Sequence, residues 1–143
     1  MTEHTVIRHT NYVFGATVTK AMTSRTGGTI VWGTGEEARD LLFVDDLVRF
    51  VELAIERQQS AYEMLHASAG YSIKIKDLVA RIVKTSGRSL RIEHDLKGPT
   101  IATSFALDNR RAKELPGWEP QVPFDEGVRR TVDWWRAAHG GAR

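Results

Sequence analysis

Between Asp45 and Ile55 the residues Leu47, Phe50, Val51, Ala54 and Ile55 recur at i, i+3, i+4, i+7 and i+8. On a 3.6-residue period that spacing gathers them on one side of a helix. A helix with such a stripe has to bury it, so the stretch predicts a core-facing helix, with Asp45 or Asp46 capping its start. The pattern returns twice. Ile75, Leu78, Val79, Ile82 and Val83 follow Ser72 and end at Gly87, and Phe124, Val128, Thr131, Val132 and Trp135 follow Pro123 and end at Gly140-Gly141. Two further helices are expected at "ATVTKAMTSR", ended by Gly27-Gly28, and at "DNRRAKELPGW", stopped by Pro116-Gly117. Between them lie β-branched or alternating runs that predict short strands: "HTVIRHTNY", "TIVW", "LLFV", "AYEMLHA" and "SLRIEHD". Helices and strands intermix without an internal repeat, so the expected class is α/β in the mixed α+β sense. At 143 residues the chain reads as one domain over 1–143, with 139–143 a frayed tail.

Composition narrows the chemistry. The chain has no cysteine, which excludes disulfides, thiolate metal sites and a Cys nucleophile. Lys and Arg number 20 against 18 Asp and Glu, and the two signs interleave, so no nucleic-acid partner is expected. No apolar run reaches the ~20 residues that span a bilayer, and "MTEHTVIRHT" lacks the apolar centre of a signal peptide; a cytoplasmic protein without a membrane partner is expected. The five His residues lack metal-ligand spacing, and neither a nucleophile elbow nor a phosphate-binding P-loop occurs, so no metal site is expected.

The stretch "WGTGEEARD", Trp32 to Asp40, carries G-x-G-x-x-A after an apolar run, the spacing of a dinucleotide turn. Such a turn must open a helix, whose N-terminal amides hold the pyrophosphate. Here Arg39-Asp40 leads into "LLFV" instead, and Glu36 and Glu37 set negative charge where phosphates belong. The stretch therefore reads as a hairpin-like link between two strands, with Gly33 and Gly35 supplying turn geometry. Arg39 has fork geometry suited to a diphosphate; on spacing alone a surface pair with Glu36 or Glu37 is the simpler account.

The ordered set "RHTN", "VWGTGEEARDLLFVDDLVRFVELAIE", "SIKIKDLVARIVKTSG", "ALDNRRAKELPGWEP" and "FDEGVRRTVDWW" resembles the C-terminal, substrate-binding part of the extended short-chain dehydrogenase/reductases. These are NAD(P)-dependent nucleotide-sugar epimerases and dehydratases. The resemblance implies a small substrate-binding domain of short strands and about five helices, without a complete Rossmann sheet. It implies that Arg39 contacts the diphosphate of a nucleotide-diphosphate sugar and that Asn11 faces the sugar and phosphate. Ile30 to Trp32 then lies against the base, with Trp32 either stacking on it or packing in the core. Val18 lines the base pocket, and Lys97 stands as the cation near a second diphosphate contact. The family's NAD turn and its catalytic Tyr-x-x-x-Lys do not occur: Tyr12, Tyr62 and Tyr71 precede Ala16, His66 and Ile75 by four residues. The expectation is a chain that binds nucleotide sugar, takes no NAD(P) by itself and performs no hydride transfer alone. A homo-oligomerising, non-enzymatic interaction module, or one subunit of a split epimerase/dehydratase whose NAD-binding half is a separate chain, are the other readings; the class isomerase follows from the resemblance.

Overall fold

A computed structural model describes residues 12–98, 101 and 103–140, with the Ile30 side chain excepted. The strand expected over "HTVIRHTNY" and the site residue Asn11 lie outside the described residues. In chain order the elements are α1 (Val13–Thr23), β1 (Gly28–Trp32), β2 (Ala38–Arg39), α2 (Val44–Arg57), β3 (Ile73–Lys74), α3 (Ile75–Ser86), β4 (Arg91–Asp95), α4 (Arg110–Glu114) and α5 (Phe124–His139). The five helices and short strands form the expected mixed α/β fold. β1 and β4 pair in parallel, Gly28 opposite Arg91 through Trp32 opposite Asp95, while β2 and β3 form a separate antiparallel pair.

The core lies where α1, α3 and α5 meet β1. Val18, Ala21, Val31, Ile75, Leu78, Val79, Ile82, Val128 and Val132 are all buried there. Two of the three helical stripes thus do what their spacing predicts. α3 stops at Gly87, whose left-handed φ of 67° suits a residue without a Cβ. α1 stops at Thr23, before Gly27-Gly28, because Arg88 Nη1 donates to the Ala21 carbonyl at 2.7 Å and Nη2 to that of Ser24, closing the helix end from a neighbouring loop.

The third stripe is buried only in part: Phe50 and Ala54 are half-buried, and the rest is exposed. In α2 only Asp46 is buried, whereas Val44, Leu47, Val48, Val51 and Ile55 are exposed by 58, 45, 52, 47 and 81%. α2 is held by Phe50, whose ring meets the buried Trp118 edge-on, and by its polar side. Asp46 Oδ1 and Oδ2 accept the Gln121 and Val122 amides at 2.9 Å each, Arg49 donates to Asp46 and to the Glu119 carbonyl, and Arg57 donates to the Pro116 carbonyl. Neither acidic residue caps the helix: the N-cap position belongs to Phe43, and Asp45 pairs with Arg130 at 3.2 Å. Phe43 is drawn to that position because its ring packs near Gly127 of α5, 3.1 Å from where a Cβ would stand.

Two expected strands do not form. "LLFV" runs as irregular chain into α2, since Leu41 turns into the core and the pair β2–β3 ends at Arg39. "AYEMLHA" has no strand partner among the described residues, although its exposure alternates as a strand's would. The link between β1 and β2 is not a hairpin either, because the two strands belong to different sheets.

Candidate functional site

The glycine loop between β1 and β2 faces the start of α3. Gly33 and Gly35 adopt φ of 71° and 73°, and a Cβ on Gly35 would stand 3.0 Å from the Lys76 nitrogen. That approach lets the Gly35 and Glu37 carbonyls accept the Lys76 and Ile75 amides at 2.9 Å each. The loop therefore supplies carbonyl acceptors to a helix N-terminus that has no side-chain cap. A dinucleotide turn does the reverse and offers amides to phosphate. Glu36 adds to the mismatch: it bridges Lys74 at 2.7 Å and Lys76, and those two hydrogen-bonded ammonium groups hold its carboxyl down at about 2. The residues of this loop do not fit an NAD pyrophosphate.

Arg39 closes β2, and it pairs with neither Glu36 nor Glu37. Its guanidinium donates to the main-chain carbonyls of Ala38 at 2.8 Å, Ile101 at 3.1 Å and Thr103. Its neighbours grip the same passing segment. The Ala38 amide donates to Ser104 Oγ at 2.9 Å, while Asp40 accepts the Leu107 amide at 3.1 Å and the Ala69 amide at 2.9 Å. Asp40 and Ser104 are thus positioning residues that no sequence spacing pointed to, because the partners of Asp40 lie 67 and 29 residues away and that of Ser104 lies 66 away. Arg39 faces three neutral carbonyls, whereas a phosphate would add an opposite charge and bidentate fork geometry. Arg39→Ala is expected to free residues 103–107 from β2, seen as faster amide exchange at Leu107 and its neighbours.

Trp32 ends β1 and is 51% exposed, which removes it from the core. Gly98 lies against it, where a Cβ would stand 2.7 Å from the indole ring, and the Lys20 ammonium sits 5.2 Å from the ring centroid. Ile30 pairs with Glu93 through its backbone. Lys97 is exposed in the turn after β4, where its amide donates to Asp95 at 3.0 Å. Val18 stands in the middle of α1 and is 2% exposed, so its methyls belong to the core rather than to an open pocket wall. A mainly apolar cavity of about 530 Å³ is lined by Phe14, Leu41, Phe43, Tyr71, Val122 and Phe124 among others. Among the described residues no group of three or more His, Asp or Glu could hold a metal ion. No described helix is long and apolar enough to cross a membrane.

This arrangement of a glycine loop, a terminal Arg and five helices on two short sheets has relatives. Residues 5–131 match the family described as GDP-mannose 4,6 dehydratase. The chain belongs to that family. GDP-L-fucose synthase 1 of Arabidopsis thaliana is 28% identical over 106 residues, 74% of this chain and 32% of its own. The dTDP-4-dehydro-6-deoxy-D-allose reductase of Streptomyces bikiniensis is 31% identical over 106 residues, with 74 and 32% covered. The UDP-glucose 4-epimerase of Thermotoga maritima, solved with UDP-glucose, superposes with a TM-score of 0.78 at 26% identity, over 89% of this chain and 40% of its own. The fold is thus that of nucleotide-sugar epimerases and dehydratases of the extended short-chain dehydrogenase/reductase type, and the chain spans about a third of the length of the curated relatives it matches. A further structural neighbour, the UDP-glucuronic acid 4-epimerase of Bacillus cereus, was solved with NAD.

Proposed function

We propose that this chain is the part of a nucleotide-sugar epimerase or dehydratase that binds the nucleotide-diphosphate sugar. The observation that carries the reading is Arg39, a fork of donors at the end of β2 whose partners are three neutral main-chain carbonyls that an anion can replace. Its support comes from the half-exposed Trp32 at the end of β1, an indole presented for base stacking, and from the UDP-glucose held by a solved relative of the same fold. Asn11 and Lys97 are the proposed sugar- and phosphate-side contacts, and Ile30 the backbone rail for the base. Val18 would support that region from the core.

The redox half of the family's chemistry, hydride exchange with NAD(P), is assigned outside this stretch of chain. The glycine loop does not fit a dinucleotide, and no Tyr-x-x-x-Lys occurs. Titration with UDP-glucose and with GDP- and dTDP-sugars, followed by thermal shift, tests the reading. At least one is expected to stabilise the chain, and Arg39→Ala is expected to cost about 1.5–3 kcal/mol of binding, roughly 10- to 150-fold in Kd. No stabilisation by any of them would remove the proposal.

A further inference from the structure

Residues 103–107 run along the outer edge of β2 without pairing to it. Among the described residues β2 has one strand partner, β3. On its other edge the Ala38 amide donates to the Ser104 hydroxyl at 2.9 Å, and the Ala38 carbonyl is taken by the Arg39 guanidinium at 2.8 Å. The segment is thus fastened to β2 through side chains. Ser104 accepts from Ala38, Asp40 accepts the Leu107 amide at 3.1 Å, and Arg39 donates to the Thr103 and Ile101 carbonyls. The core does not hold it either, since every residue from Thr103 to Asp108 is exposed. A segment that buries so little apolar area gives up little hydrophobic free energy on leaving, and each bond that docks it is individually weak.

The segment and an anion need the same donors. Arg39 Nη1 is spent on the Ala38 and Thr103 carbonyls, and Nη2 on that of Ile101 at 3.1 Å. A phosphate takes a guanidinium through two parallel N–H groups. With the Nη1–Nη2 fork filled, the Thr103 and Ile101 oxygens stand where phosphate oxygens would. We infer that residues 103–107 are an autoinhibitory strap: docked on β2 they keep the Arg39 fork closed, and a nucleotide diphosphate enters it only when they leave. The inference rests on the reading of Arg39 as a diphosphate contact and adds how that contact is regulated. Docked and ligand-bound forms exclude one another, so the measured affinity is the intrinsic one reduced by the fraction of chains whose strap is released. Weakening the strap away from the phosphate must then tighten binding, and ligand must in turn release the strap, because coupling is reciprocal. Ser104 offers such a point, since its hydroxyl meets the Ala38 amide and not Arg39.

The test titrates wild type, Ser104→Ala and Ser104→Thr with UDP-glucose and with GDP- and dTDP-sugars by calorimetry. It also follows hydrogen exchange of the Ala38 amide in wild type with and without ligand. Ser104→Ala removes one neutral hydrogen bond from the docked form and is expected to tighten binding roughly two- to tenfold. Ser104→Thr keeps the hydroxyl and is expected to restore wild-type affinity. Saturating ligand is expected to speed exchange at Ala38 roughly threefold or more, whereas a ligand that only covers its site slows exchange. Because the strap is exposed, neither substitution should move the melting temperature by more than about 2 °C. Unchanged or weaker binding by Ser104→Ala would overturn the inference; weaker binding would mean that the carbonyls hold the guanidinium in place while the anion sits on its Nε side. Slower Ala38 exchange with ligand bound would overturn it as well. Both results leave the nucleotide-sugar reading standing, because ligand still binds. A large loss of melting temperature would overturn the inference by making the strap part of the packed fold. No binding by any of the three forms would remove the functional reading, and this inference with it.

Discussion

Trp118→Ala is expected to destabilise the protein by about 3–5 kcal/mol, the range for emptying a buried aromatic site. For a domain of this size that corresponds to a fall in melting temperature of roughly 10–17 °C, read by circular dichroism. Trp118 is 0% exposed. Its ring meets Phe50 of α2 edge-on at 5.3 Å, its indole N–H donates to the Asp46 carbonyl at 2.9 Å, and its amide donates to the Ala112 carbonyl at 2.9 Å. It is therefore the peg that joins α2 to the segment between α4 and α5. Trp118→Phe keeps most of the volume and loses the indole donor, so it should cost less, about 1–3 kcal/mol, which divides packing from hydrogen bonding.

Asp46→Ala is expected to cost about 3–5 kcal/mol, since it strands the Gln121 and Val122 amides and leaves Arg49 without its buried partner. Burial of Asp46 by itself pushes its carboxyl up. The Val122 and Gln121 amides, with the Arg49 guanidinium, outweigh that and hold it below the ordinary carboxylate range. The folded pKa is therefore lower than the unfolded one. The stabilisation is present in full above the unfolded value and is lost as pH falls below it through the folded value. An acid titration of stability should show wild type losing more than Asp46→Ala below about pH 4. Parallel curves would show that the carboxylate charge does not hold this junction.

Both residues explain why α2 buries only part of its stripe. The spacing of Leu47, Val51 and Ile55 states that these side chains share a face, and they do. It does not state what the face meets. The Asp46 carboxylate satisfies amides from residues more than 70 positions further on, a pairing with no local trace. The same holds for Arg39. Its charge and fork are legible, and the counter-charges two and three residues before it make a local pair the natural expectation. Glu36 is taken instead by Lys74 and Lys76, which β2–β3 pairing brings beside it. Trp32 reads equally as base platform or core residue, and its place at the end of β1 leaves the indole half in water.

Local chemistry by itself determined α3 and α5, the glycine stops at their C-terminal ends and the core stripe they share, because helix period and stop residues act within a few positions. It determined that the glycines after β1 make a turn, and the ordered motifs placed the chain in its family. Tertiary structure alone decided that this turn caps α3 rather than a phosphate, that α2 leaves Leu47, Val51 and Ile55 outward, and that residues 61–67 keep a strand's alternation with no strand partner among the described residues. Those outcomes depend on which distant groups satisfy buried donors and on which layer is present to cover an apolar face. Neither is written in the spacing of the residues that carry it.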